Sequence, residues 1–171
     1  NHAILHNNHI KFFKESRVDC FLMDSSTIGM IVAVVILVIC SAFFSATETA
    51  FTSLNNIRMK TWAENGDHRA ARALALSENY DKLLSSILIG NNIVNITAST
   101  ISTVLCTKLF FEYGPTISTI AVTIIVLIFG EISPKSISKE FPERFAMFSA
   151  PILKVIITVL TPLNYLFSLW K

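Results

Sequence analysis

The chain has 171 residues, 52% of them hydrophobic and only 15% charged, with a formal net charge of +2, whereas soluble chains carry roughly 25% charged residues. Together with a mean hydropathy of +0.56, that balance excludes an ordinary soluble domain. The 14 Lys and Arg are scattered without a dense run, so no nucleic-acid partner is expected.

The charges that do occur are unevenly placed. None falls from Thr27 to Thr47, from Leu83 to Thr107, or from Gly114 to Gly130. A hydrocarbon core about 30 Å thick takes about 20 residues of helix, so each stretch is long enough to cross. The expected fold class is an all-α membrane protein, with three transmembrane helices and the lipid bilayer as its surroundings. Cys20, Cys40 and Cys106 are odd in number, far apart and without metal-ligand spacing, which argues against a disulfide framework.

Residues 1–22 are polar, rich in His and Asn, and without a clear period. They are expected to be a non-native or disordered leader. Met23-Asp24-Ser25-Ser26 then reads as the start of the domain proper, residues 23–171. The apolar run that follows is too long for a signal-peptide h-region, and no basic cluster immediately precedes it.

The first span is expected over about 28–52. Its second half carries Ser41, Ser45, Glu48 and Thr52 at steps of four, three and four, which places them on one face of a helix. Residues 55–80 become soluble in character. Two short helices are expected there, joined by Asn65-Gly66-Asp67, since Asn-Gly favours a positive φ. The second span is expected over about 83–110, followed by a short turn at Glu112-Tyr113-Gly114-Pro115. The third, about 117–132, should break or kink at Pro134, which lacks a backbone donor. Residues 135–170 are expected to form juxtamembrane amphipathic helices, with Pro151 to Trp170 lying in the interface rather than crossing.

Basic residues set the orientation. Arg58, Lys60, Arg69, Arg72 and Lys82 lie between the first two spans, only Lys108 between the next two, and Lys135, Lys139, Arg144 and Lys154 after the third. The N-terminus is therefore expected outside and the C-terminus in the cytoplasm.

Polar groups inside a span need a reason, because a carboxylate near the bilayer centre costs about 2.5–3.5 kcal/mol on insertion scales. Three places concentrate them: Ser45 with Glu48, Asn91 with Asn95, and Glu131 beside Pro134. Asn91 and Asn95 are four apart and share a face, which Ser99 and Ser102 continue. Hydroxyls, amide carbonyls and carboxylates without His or Cys make an all-oxygen set, suited to a hard cation such as Mg²⁺ or Ca²⁺. Backbone carbonyls freed around Gly130 to Pro134 would add candidate ligands, as broken helices do in transporters.

Each residue also has a plainer reading. Ser41, Thr49, Ser99 and Ser102 suit helix packing, Asn92 a hydrogen bond to a neighbouring helix, and Glu48 an ion pair with a Lys or Arg at the cytoplasmic end. His68 reads as solvated.

Phe43-Phe44-Ser45-Ala46-Thr47-Glu48-Thr49-Ala50-Phe51, Gly90-Asn91-Asn92-Ile93-Val94-Asn95 and Phe129-Gly130-Glu131-Ile132-Ser133-Pro134-Lys135 closely resemble the three signature segments of the cyclin-M/CorC/CorB magnesium transporters. The resemblance covers about residues 28–169. It departs at Ala46-Thr47, where the family commonly has Gly-Ser or Gly-Thr, and at Ser133, where an aliphatic residue is common.

The resemblance implies a plasma-membrane (in a bacterium, inner-membrane) homodimer that exports Mg²⁺, with Na⁺ as the candidate coupling ion. The metal ligands it implies are Ser45, Asn91, Asn95 and Glu131, with Thr47 and Glu48 as less certain neighbours. Relatives continue into cytoplasmic CBS modules that bind ATP; no such module lies within these 171 residues. The alternative function is a non-transporting membrane anchor that senses Mg²⁺ and regulates a partner. No nucleophile–base pair or cofactor motif suggests an enzyme.

Overall fold

A computed structural model describes residues 25–168, with side chains through residue 161. The leader expected over 1–22 lies outside the described residues. The described chain is helical, in the order α1 (Ser25–Thr52), α2 (Asn56–Glu64), α3 (His68–Glu78), α4 (Tyr80–Phe110), α5 (Gly114–Ile125), a π-helical segment (Val126–Ile132), α6 (Ser133–Glu140) and α7 (Pro142–Ser168).

Three continuous stretches are long and apolar enough to cross a membrane: Ser25–Thr52, Tyr80–Glu140 and Pro142–Thr161. The second is a hairpin. Phe111 takes a φ of 50°, a 3₁₀ turn follows over Phe111–Tyr113, and α5 runs back along α4, with Thr103 Oγ1 and Ser118 Oγ 3.4 Å apart. The turn thus falls earlier than the sequence suggested. Gly114-Pro115 instead opens α5, because proline is well tolerated in a first helical turn, where its missing N–H has no partner to lose. Gly114 is needed for another reason: a Cβ there would run into the Thr107 backbone.

Contacts along α1 and α4 show them antiparallel. Lys108 Nζ donates to Ser26 Oγ at 3.4 Å, Ser41 Oγ to Asn91 Oδ1 at 3.2 Å, and Phe44 packs on Gly90. The segment from α5 through α6 runs parallel to α1, as Gly130 meets Ser41 and Ser138 Oγ donates to the Ala46 carbonyl at 2.6 Å. Ile28, Val32, Val35, Ile36 and Ile39 are exposed along α1. In water so long an apolar strip would be a liability, but in lipid it is the natural surface.

The two short helices appear as expected. Gly66 has a φ of 93°, and Asp67 caps α3 by accepting from the Arg69 and Ala70 amides. They dock on α7 and on the ends of α1 and α4 through a core of Phe44, Ala50, Phe51, Met59, Ala70, Ala73, Leu83, Ile87, Ala146, Ala150 and Leu153. Trp62 packs against this core, and His68 is exposed. An ion pair joins α2 to α7, Arg58 Nη1 to Glu143 Oε1 at 3.1 Å.

Two further boundaries differ from the sequence reading. Pro134 does not end the helix: α6 continues through it, and the preceding turns widen to π-helix. A wider turn accommodates the missing donor and the crowding of the ring against the preceding turn without a break. The break comes at Phe141 instead (φ −133°, ψ 56°). From there α7 runs 27 residues without interruption at Pro151, rather than restarting there.

Candidate cation site within the helix bundle

α1, α4 and the π-helical segment meet at Ser41. Its hydroxyl donates to Asn91 Oδ1 at 3.2 Å. A Cβ on Gly130 would lie 3.0 Å from Ser41 Oγ, so the glycine lets the π-helical backbone come this close. Glu131 follows Gly130 directly and is half-buried. π-helical turns inside α-helices are rare and gather at functional sites, and this one carries the carboxylate singled out by the sequence.

Ser45 and Asn95 flank that level. Each lies four residues beyond a member of the Ser41–Asn91 pair, in opposite directions because α1 and α4 are antiparallel. At 1.5 Å per residue their backbones are about 12 Å apart along the bundle. Cα–Cβ bonds tilt toward the start of each helix, so both side chains lean back toward the Ser41–Asn91 level. Ser45 Oγ and Asn95 Oδ1 are buried and accept or donate no hydrogen bond among the described residues. Leaving such an oxygen unsatisfied costs about 1–3 kcal/mol. Two of the four candidate ligands therefore carry unmet hydrogen-bonding capacity beside a third.

The less certain neighbours have other occupations. The Thr47 hydroxyl donates to the Phe43 carbonyl one turn back, at 2.7 Å. Glu48 Oε2 pairs with Lys135 Nζ at 3.3 Å, as expected for a carboxylate at the end of a span. Asn92 and Ser99 are exposed. Ser102 is buried.

Sequence reasoning passed over Ser41 as a packing residue, although its position one turn before Ser45 was the available signal. Among the described residues no group of three or more His, Cys, Asp or Glu lies together. The polar convergence is one of hydroxyl and amide oxygens, a donor set that fits a hard cation and not a soft one.

Residues 31–170 match the model of the cyclin M transmembrane N-terminal domain. The chain belongs to this family. Among the cyclin M domain's relatives is a UPF0053 protein of Haemophilus influenzae, 38% identical over 149 residues, which are 86% of this chain and 36% of that protein. The UPF0053 inner membrane protein YfjD of Escherichia coli is 38% identical over 128 residues, 75% of this chain and 30% of its own length. A polyamine export protein of Haemophilus influenzae is 29% identical over 151 residues, 81% of this chain and 35% of that protein. The chain thus spans about a third of the length of these relatives. The family and the apolar helices together make this cyclin M domain part of a multi-pass membrane protein.

Proposed function

We propose that this cyclin M domain is the membrane part of a divalent-cation transporter whose cargo is Mg²⁺, bound by Ser45, Asn91, Asn95 and Glu131. The observation that carries the reading is the pair of buried oxygens without partners, Ser45 Oγ and Asn95 Oδ1, on either side of the Ser41–Asn91 hydrogen bond. Ligation of one dehydrated cation by both requires α1 and α4 to slide past one another by a few ångströms, roughly a turn at most, shortening the axial separation of their backbones. Asn91 Oδ1, already accepting from Ser41, keeps a second lone pair for the ion, and the Glu131 carboxylate supplies the charge that offsets it. Mg²⁺ demands near-octahedral oxygen geometry and gives up water reluctantly. Backbone carbonyls near the π-helical turn and retained waters would complete its shell.

In this reading the N-terminus faces outward, following the Lys and Arg distribution. Two copies of the domain associate in the plasma membrane (the inner membrane in a bacterium), and transport runs outward with Na⁺ as the coupling ion. ATP-binding CBS modules elsewhere in the whole protein would regulate it.

Mg²⁺ flux into or out of proteoliposomes, followed with an internal dye, tests the proposal: Glu131→Gln should abolish flux given by the full-length protein. Binding without any flux in the full-length protein would favour the sensing anchor instead. A second cargo, an organic polycation, is favoured by one finding, the likeness to a protein named as a polyamine exporter. Competition of spermidine against Mg²⁺ for binding distinguishes the two.

A further inference from the structure

The corner between α6 and α7 carries chemistry that cation transport does not use. Where Phe141 leaves helical geometry, a groove of about 290 Å³ opens, lined by Ile137, Ser138, Phe141, Arg144, Phe145 and Phe148. Its walls are apolar and open to the surroundings: Ile137 is 66% exposed, Phe141 56% and Phe148 63%.

Its polar groups are unequal. The Ser138 hydroxyl is already given to the Ala46 carbonyl. Arg144 is exposed and has no carboxylate partner among the described residues, where the ion pairs are Arg58–Glu143 and Lys135–Glu48. Its guanidinium lies 6.0 Å over the Phe141 ring, which holds the cation at the groove without neutralising it. Nearby, Lys139 adds a positive charge against the single Glu140, since Glu143 is taken by Arg58.

Depth decides the environment. Ser138 ties the groove to Ala46, six residues before α1 ends at Thr52, so it sits about 9 Å inside the end of a spanning helix. A 28-residue helix is about 42 Å long against a hydrocarbon core of about 30 Å, which puts this level near the border between hydrocarbon and headgroups.

We propose that this groove binds an anionic phospholipid, with an acyl chain along Ile137, Phe145 and Phe148 and the phosphate on Arg144. A guanidinium offers planar paired donors that match phosphate oxygens, and basic pockets beside spanning helices are a recurrent form of lipid headgroup site. A free inorganic anion would leave the apolar walls uncovered. A second copy docking symmetrically here would have to bring a carboxylate to Arg144 from outside the groove, whose own lining holds none.

The test is native mass spectrometry of the full-length protein, titrated in detergent with phosphatidylglycerol or phosphatidylcholine of the same chains. Phosphatidylglycerol should be retained preferentially. Arg144→Gln should lower its retention about fivefold, the weight of one basic side chain near an anionic membrane surface. Arg144→Lys should keep only part of the preference, since the charge stays but the paired donors are lost, and Lys139→Gln should change it less than Arg144→Gln. Equal retention of the two lipids overturns the site. So do equal losses in Arg144→Gln and Lys139→Gln, displacement of the lipid by inorganic phosphate, or an Ile137→Cys variant that forms disulfide-linked dimers across this face.

Discussion

Gly90 of α4 lies against the ring of Phe44 of α1 so closely that a Cβ would sit 2.6 Å from two ring carbons. This contact sets how near the two helices approach, immediately beside the Ser41–Asn91 hydrogen bond. Gly90→Ala should force the buried ring aside and cost about 1–3 kcal/mol, the usual penalty for overpacking. Thermal unfolding in detergent would show the loss, and Phe44→Leu in the same background should restore part of it.

Ser45→Ala and Asn95→Ala should separate cation binding from stability. Each removes a buried oxygen that has no partner, so the metal-free protein should be unchanged or more stable, by up to about 1–3 kcal/mol. Stabilisation by added Mg²⁺, which follows from binding the folded state alone, should shrink or vanish. If both variants keep the full Mg²⁺-dependent shift in melting temperature, these oxygens are not ligands.

Gly130→Ala acts at the same level from the other side. Its new methyl would press on the Ser41 hydroxyl at 3.0 Å and should turn it from Asn91. Loss of that hydrogen bond is worth about 0.5–1.5 kcal/mol. Mg²⁺ affinity, measured by titration of purified protein, should fall because Asn91 loses the group that orients it. Adding Ser41→Ala to Gly130→Ala should recover stability but not affinity.

The Glu48–Lys135 pair spans 3.3 Å, with side chains 26% and 43% exposed. Pairs so open to their surroundings contribute about 0–1 kcal/mol. Glu48→Gln should therefore change stability by less than about 1 kcal/mol and lower Mg²⁺ affinity far less than Glu131→Gln. Parallel titrations of the two variants decide which carboxylate faces the ion.

Arg58 and Glu143 form the unequal counterpart, because Glu143 is only 8% exposed. Arg58→Met should strand a buried carboxylate and cost about 1–3 kcal/mol, loosening α2 from α7. Glu143→Gln removes the charge that needs a partner and should cost less. Denaturation midpoints of the two variants, and protease sensitivity of the 65–67 turn, give the comparison.

The sequence by itself determined the helices and their character. Uncharged stretches marked the spans, because charge is excluded from hydrocarbon. Asn65-Gly66-Asp67 marked a turn that needs one positive φ and one cap, and three motifs in order marked the family. It also placed Ser45 on one helix face and Asn91 with Asn95 on another, since helical periodicity is a property of a single chain segment. Only the tertiary structure decided how those faces slide past one another. The antiparallel register set Ser41, not Ser45, opposite Asn91, turned Glu48 to Lys135, and left Ser45 and Asn95 with buried, unpartnered oxygens. The same holds for Pro134, whose local rule allows a break or a kink, while packing against α1 carried the helix through it by way of a π-helical turn. Axial register depends on contacts between residues far apart in the chain, such as Phe44 with Gly90 and Ser41 with Gly130, and no periodicity within one helix encodes it.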